Sequence, residues 1–485
     1  MRLFNTDGDS SRTDSDVFPH WNPLPRAFLI SFHGNAFMQE LSRKHRLIAE
    51  WEPQAAVMLT WPHSGTDWAA QLDRVECVYQ RLVQLITRDQ DVLIVCRDEA
   101  HQAAIRARLV KSMTTDLSGD LSGDLSGDLS GTQSAHNAAA SVEIQAAAGI
   151  DAQNTPPVDA QADARNAVRD QAKAGTDARR ETRLDRIQFA LAPSNDTWTR
   201  DHGPISVIDG TNGQRRLIDF RFNGWGGKFP AELDDRITAT LSAAGGFARL
   251  SKHPRDSAAK GPCTGPISSH STAADAYVQG ADEGIESSQL VLEGGAIDSD
   301  GAGSLLAVRR TIIDPARNPG WSQAEIEAEL RDRLGIERFL WLEHGQLSGD
   351  DTDGHIDTLA RFCDPRTLCY AASDDPSDPD HPALERLAAE LRALRQRNGE
   401  PYRLVPLPQP APIHDEDGQR LPAGYANFLI INRAVLVPVY DDPADAIACA
   451  RLADCFPGRR IEPVDCRPLI RQGGSLHCIT MQLSA

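Results

Sequence analysis

Residues 55–96 read "AAVMLTWPHSGTDWAAQLDRVECVYQRLVQLITRDQDVLIVC". The stretch opens on the apolar run "AAVMLTWP" and closes on a second, "DVLIVC". Between them Trp68, Leu72, Val75, Leu82 and Ile86 recur at spacings of three and four or their sums, which places them on one face of a helix. The segment therefore reads strand, helix, strand. The same order recurs four times further on. "SLLAVRRTII", "SQAEIEAELRDRLG" and "RFLWLEH" form one unit. "TLCYAAS", "HPALERLAAELRALRQRN" and "YRLVPLP" form another. "AVLVPVY", "DPADAIACARLADCF" and "RIEPVDC" form a third. "RLIDFRF", "ELDDRITATLSAAGG" and "FARLS" form the faintest. Repetition of one supersecondary unit argues for a closed or stacked array. Five such units predict an α/β fold whose blades ring an axis.

Three stretches stand outside the repeat. Residues 1–46 are polar and mixed apart from "AFLISF", and read as an N-terminal extension to a single domain over 47–485. Residues 113–184 contain "DLSGDLSGDLSGDLSG" and an Ala/Asp/Gln-rich run, with too little apolar bulk to offset the entropy of ordering. Residues 252–288 are rich in Ser, Ala, Gly and Asp. The last two are expected to be disordered insertions.

Composition narrows the function. The chain has 485 residues, 50 of them basic and 69 acidic, for a net charge of -19. Binding nucleic acid takes clustered Lys and Arg, so that class is excluded. An acidic chain is compatible with a small cationic substrate. The nine cysteines are scattered and form no C-x-x-C pair, so neither a disulfide framework nor a zinc knuckle is indicated. A reducing, cytoplasmic setting is expected. No run of about 18 apolar residues suggests a membrane span, and no basic-then-apolar leader opens the chain. A homo-oligomer is compatible with all of this.

The polar motifs follow strands that hold equivalent places in the repeat. "NDTWTRDHGP" (195–204) follows "IQFALAPS", and "LEGGAIDSDG" (292–301) follows the second insertion. "GDDTDGHIDT" (349–358) follows "RFLWLEHGQLS", and "RQGGSLHC" (471–478) follows "RIEPVDCRPLI". In a ring, equivalent strand ends share one mouth, so these loops are expected to converge. Taken alone, each motif has an ordinary reading. Asp201 suits a turn before Gly-Pro, and Glu293 suits a strand end at a Gly-Gly turn. Asp353, His355 and Asp357 alternate, which in an extended segment would share a face and suit a metal. A lone cysteine such as Cys478 is usually a small buried hydrophobe.

Together the motifs suggest different chemistry. A thiol, a histidine and three carboxylates suit a cationic electrophile better than zinc. A guanidinium is planar, permanently charged and presents its N–H donors in a fixed fork, which carboxylates match in pairs. A bound cation also favours a neighbouring thiolate. A histidine can protonate departing ammonia and then deprotonate water.

On these residues the chain resembles the agmatine deiminase and bacterial peptidylarginine deiminase family. The resemblance runs through "EWEPQAAVMLTWPH", "NDTWTRDHGPISV", "RFNGWGGKF", "LEGGAIDSDGAG", "GHIDTLARF" and "GGSLHCITMQ", from about residue 50 to the end without the insertions. It implies a five-bladed α/β propeller, a covalent thiouronium-type intermediate, and no metal or organic cofactor. It also implies roles. Cys478 matches the nucleophile and His355 the general acid/base. Asp201 and Asp357 match the carboxylates that grip the guanidinium, and Glu293 matches the glutamate that pairs with the histidine or assists binding. Trp198 matches an aromatic near the substrate, and Gly473 and Gly474 would let the backbone come close to it. With agmatine the product would be N-carbamoylputrescine, a step toward putrescine.

Other readings stay open at this point. The same core suits peptidylarginine, free arginine or an amidino-group donor. No residue clearly supplies a cation for a substrate α-carboxylate, which favours agmatine, although Arg200 and Arg361 lie within motifs. A metal-dependent hydrolase built on Asp353, His355 and Asp357 is a second alternative. A non-enzymatic relative whose insertions bind partners is a third, opposed by the retention of all five reactive side chains.

Overall fold

The computed structural model describes residues 44–122, 183–248, 250 and 285–485. Seventeen strands occur among them. The first seven are β1 (His45–Leu47), β2 (Gln54–Thr60), β3 (Asp91–Cys96), β4 (Ile187–Leu191), β5 (Ile205–Asp209), β6 (Arg215–Arg221) and β7 (Ile285–Val291). Then come β8 (Asp298–Ser299), β9 (Ser304–Val308), β10 (Arg338–Leu342), β11 (Ala360–Asp364) and β12 (Thr367–Ala371). The last are β13 (Arg403–Leu407), β14 (Leu429–Ile431), β15 (Ala434–Val439), β16 (Arg460–Asp465) and β17 (Thr480–Ser484).

The strands form five sheets on one plan. An antiparallel pair comes first, and a third strand then lies parallel to the second. The sets are β5-β6-β7, β8-β9-β10, β11-β12-β13 and β14-β15-β16. A parallel neighbour requires a crossover, and a helix supplies it. Those helices include Gln323–Leu334 before β10, His381–Ala393 before β13 and Ala444–Cys455 before β16. In the fifth sheet the antiparallel member comes from the far end of the chain. β17 pairs with β2, placing Thr480 opposite Leu59 and Met481 opposite Met58. β3 and β4 then follow in parallel.

The sequence explains the crossovers locally. The helix Leu72–Ile86 buries Val75, Val78, Tyr79, Leu82, Val83 and Ile86, the apolar face expected for it. The helix Gln323–Leu334 opens with a capping box between Ser322 and Glu325. It stops at Gly335, whose φ is +67° and where a Cβ would lie 1.8 Å from the His45 carbonyl. Only glycine allows that end to pack on β1.

Four expectations need correction. The extension over 1–46 overlaps β1, so His45 and Arg46 belong to the folded part. The insertion expected from 113 begins inside the helix Glu99–Ser122, and Met113 lies buried in the core. The insertion expected to end at 288 gives its last four residues to β7, with Ser288 buried. "FARLS" forms no strand over its described residues; β7 is the parallel partner of β6 instead. Hydrophobic residues at 247 and 250 pack in the core without a ladder, which alternation alone cannot distinguish from a strand. Most of both insertions lies outside the described residues. Among the described residues no helix is long and apolar enough to cross a membrane.

Five loops follow β4, β7, β10, β13 and β16, each leading from one sheet to the next. Four of them are the polar motifs singled out in the sequence. The fifth, between β13 and β14, was not.

Candidate active site

The loop after β4 makes one helical turn, Thr199–His202, and carries Asp201. Two bonds fix it: the Thr60 backbone N–H donates to Thr199 Oγ1 at 2.8 Å, and the Arg200 N–H donates to the Cys478 carbonyl at 3.0 Å. The carboxylate and the nucleophile candidate therefore share a backbone link. Asp201 accepts from Trp225 Nε1 at 3.0 Å and from the Gly295 N–H at 3.0 Å. A Cβ at Gly295 would lie 2.6 Å from His355 Nδ1 and 2.8 Å from Asp201 Oδ1. The Gly-Gly turn after Glu293 is thus what lets three loops meet.

His355 lies between two carboxylates, with Nδ1 3.6 Å from Asp201 Oδ1 and Nε2 3.8 Å from Glu293 Oε2. Burial pulls its pKa down, but Asp201 and Glu293 outweigh burial and push it up to about 9. Glu293 is gripped by Arg317 Nε at 2.9 and 3.0 Å, both side chains being buried. Burial alone would raise the Glu293 carboxyl; His355 and Arg317 hold it below its ordinary range.

Cys478 is buried two residues before β17. Its sulfur lies 3.6 Å from Asp357 Oδ2, accepts from Asn427 Nδ2 at 3.2 Å, and lies 3.4 Å from Asn427 Oδ1. Burial first, then the charges of Asp357 and Asp201, push the thiol well above its ordinary pKa. The proton therefore stays on sulfur near neutral pH. Burial also raises Asp201, to about 6, with Asp357 and Glu293 adding to it against the opposing pull of His355. Burial would raise Asp357 likewise, but a hydrogen bond with His477 and that residue's charge carry it below its ordinary value.

A cavity of about 560 Å³ opens over this cluster, lined by Trp198, Asp201, Trp225, Gly473, Gly474 and Cys478 among others. The ring of Trp198 lies 5.8 Å from that of Trp68 and 6.4 Å from that of Trp225. Gly474 is pressed by Trp198, whose ring would lie 2.1 Å from an added Cβ. His355, Glu293 and Asp357 are buried behind the lining. All the site residues expected from the sequence thus meet, three of them in a rear layer.

Four partners were not expected. Asn427, in the loop after β13, holds the thiol and accepts from the His477 N–H at 2.8 Å. His477, Glu50 and Arg317 brace the carboxylates. The repeat held a signal for Asn427, because the fifth equivalent loop should reach the same place. For His477 the signal was its adjacency to Cys478. Glu50 opens the quoted "EWEPQ" run, whose bearing on the site appears only once β2 meets β17.

The alternation at Asp353, His355 and Asp357 does not make one face. Asp353 sits at φ +70°, which breaks the extended run. Its carboxylate is taken by Lys228 at 2.7 Å and Arg317 at 2.9 Å. Among the described residues no group of three or more His, Cys, Asp or Glu is placed to hold a metal ion. Arg200 and Arg361, weighed as carboxylate receptors, are buried and tied to Glu50, outside the cavity lining.

A profile for the Porphyromonas-type peptidyl-arginine deiminase family matches residues 46–120 and 132–484. The gap falls in the DLSG tract. An agmatine deiminase of Ectopseudomonas mendocina is 31% identical over 62% of this chain and 78% of its own length. The solved C. jejuni agmatine deiminase with substrate bound superposes with a TM-score of 0.63 at 26% identity, covering 91% of this chain and 96% of that one. An agmatine deiminase of Enterococcus faecalis, 22% identical, shares the fold with a TM-score of 0.62 over 91% of this chain and 96% of its own. With the match running through nearly all the described residues, the chain belongs to the Porphyromonas-type peptidyl-arginine deiminase family.

Proposed function

We propose that this chain is an agmatine deiminase, hydrolysing agmatine to N-carbamoylputrescine and ammonia through a covalent bond to Cys478. The carrying observation is a buried thiol 3.6 Å from one carboxylate, Asp357, on the floor of a cavity lined by a second, Asp201. The five sheets are the blades of a pseudo-fivefold propeller, and the five inter-sheet loops form its mouth.

The guanidinium binds between Asp201 and Asp357 and neutralises the charges that keep the thiol protonated. The Cys478 proton leaves to solvent and the thiolate attacks the guanidinium carbon, forming a C–S bond. His355, protonated at neutral pH, gives its proton to the departing nitrogen, and the C–N bond breaks to release ammonia. Glu293 holds His355 for both steps, itself fixed by Arg317. Neutral His355 then takes a proton from water, whose oxygen attacks the thiouronium carbon. The C–S bond then breaks and the hydroxyl proton passes to the sulfur, leaving the ureido product and the restored Cys478 thiol.

The rim supports agmatine over arginine. Arg420 and Arg471 line the cavity, but Arg420 is paired with Asp378 at 2.6 Å and Arg471 with Glu416 at 2.8 Å. Asp67, Asp196 and Asp351 line it as well. Agmatine presents an ammonium there, whereas arginine adds a carboxylate that would meet acidic neighbours. Ammonia release measured with agmatine, free arginine and a peptide ending in arginine tests the assignment. A kcat/KM highest for agmatine supports it; a higher value for the peptide reassigns the chain to peptidylarginine.

A further inference from the structure

The two oxygens of Asp357 have different surroundings. Oδ2 lies 2.8 Å from His477 Nδ1, while Oδ1 is buried with no hydrogen-bond partner. The other ring nitrogen of His477, Nε2, lies 2.8 Å from Glu50 Oε1. His477 is fully buried and so bridges two carboxylates. A neutral imidazole has one N–H and cannot donate on both sides. Donating to both carboxylates takes an imidazolium, and donating to one takes the neutral ring.

The bridge sits within a wider ionic cluster. Glu50 also takes Arg361, and Arg200 Nη1 lies 3.4 Å from it. Arg361 Nε in turn lies 3.3 Å from Asp298. Two carboxylates held below their ordinary values, Glu50 and Asp357, face the two guanidinium groups, while burial raises Asp298 to about 7. Burial and the charges of Arg200 and Arg361 hold the His477 pKa below its ordinary value, against the opposing pull of Glu50 and Asp357. Asp357 is faced in addition by His355 and Cys478.

We infer that His477, braced by Glu50, is a positioning residue of the reaction: it occupies one oxygen of Asp357 and leaves Oδ1 as the acceptor for the substrate guanidinium. The inference rests on the reading of Asp357 as a guanidinium-binding group. Asp201 provides the internal control. It is buried like Asp357 and accepts two neutral N–H donors, yet it is raised to about 6. Asp357 is held below its ordinary value, and the largest lowering influence is His477. Without His477, Asp357 loses its largest lowering influence and should titrate higher. The ionised form binds the cation, so affinity would then be lost at a higher pH as the solution is acidified.

The test is calorimetric titration of agmatine into the full chain carrying Cys478→Ala, between pH 5.5 and 9, with and without His477→Gln. His477→Gln should weaken binding about tenfold or more at pH 7.5. It should also raise the midpoint of the acid loss by about one pH unit or more. A purely structural role would lower the melting temperature and leave that midpoint in place. A folded variant with its midpoint unmoved and its affinity within about threefold of the parent (~0.7 kcal/mol) overturns the inference alone. A parent that binds no agmatine overturns both this inference and the agmatine reading. If His477→Gln does not fold, Glu50→Gln decides: a midpoint shift in the same direction supports the bridge, and none overturns it.

Discussion

The two carboxylates on either side of the thiol belong to the same residue type but to different surroundings. Asp201 lines the cavity and is held by an indole N–H and a backbone N–H, both neutral. Asp357 lies in the rear layer, joined through His477 to Glu50, Arg200 and Arg361. Neutral donors orient a carboxylate but leave burial to decide its protonation, and Asp201 rises to about 6. An ionic network fixes the charge as well, and Asp357 stays below its ordinary value. The front carboxylate can therefore respond to solvent and substrate, while the rear one is a fixed charge. Between them the thiol pKa is held well above its ordinary value.

The largest effect tests whether the thiol is the group that both carboxylates serve. Cys478→Ser should lower kcat by roughly 10⁴-fold or more while the protein stays folded, because a hydroxyl is a far weaker nucleophile near neutral pH. In the wild type, mass spectrometry after an amidine inactivator should find the label on Cys478. A label on Cys363 or Cys369 alone would move the reaction away from both carboxylates.

Next come the carboxylates themselves. Asp201→Asn and Asp357→Asn should each lower kcat/KM by orders of magnitude, since each turns an acceptor into a donor facing N–H groups. Their stabilities should differ. Asp357→Asn leaves a buried network short of one negative charge, at a cost of about 3–5 kcal/mol, and should lower the melting temperature by many degrees. Asp201→Asn should move it far less. Equal shifts in the two melting curves would break the comparison. A variant keeping more than about a tenth of wild-type kcat/KM, a loss under ~1.4 kcal/mol, would show that its carboxylate does not grip the substrate.

The smallest effect is on the pH profile. Ionised Asp201 is needed, so kcat/KM should fall as pH drops through about 6. Protonated His355 is needed too, so it should fall as pH rises through about 9. Trp225→Phe removes one donor to the Asp201 carboxylate. It should raise the acid limb and lower kcat/KM by about tenfold, as expected for one hydrogen bond to a charged group. The alkaline limb should stay in place. Movement of both limbs would mean that Trp225 supports the whole pocket, and the contrast between front and rear would lose its basis.

The sequence showed the front of this site better than its rear. Cys478, Asp201 and the Gly-Gly turns stand in short polar motifs after apolar strands, where a repeat of period-two and period-3.6 patterns marks them. The five units were legible for the same reason, since each helix carries its own apolar face. The bracing residues were not. Glu50 and His477 are 427 positions apart, and their contact depends on β2 lying beside β17, a pairing that no local pattern encodes. Asp353 misled because alternation was read as an extended strand, whereas its positive φ turns the chain. Ile285–Ser288 were assigned to an insertion because strand boundaries fade where composition is Ser-rich.

The pairing of β17 with β2 has a consequence for synthesis. It sets Ser484 opposite Gln54, 430 positions apart. While a ribosome is still making the chain, β2 and β3 can pair and collect their helix, but one edge of β2 has no neighbour. Cys478 has not yet been made, so the nascent protein lacks the proposed nucleophile, however well its first sheets have formed. The proposed activity requires β17 to close over that edge, and until it does β2 lacks its antiparallel neighbour and stands open to other chains.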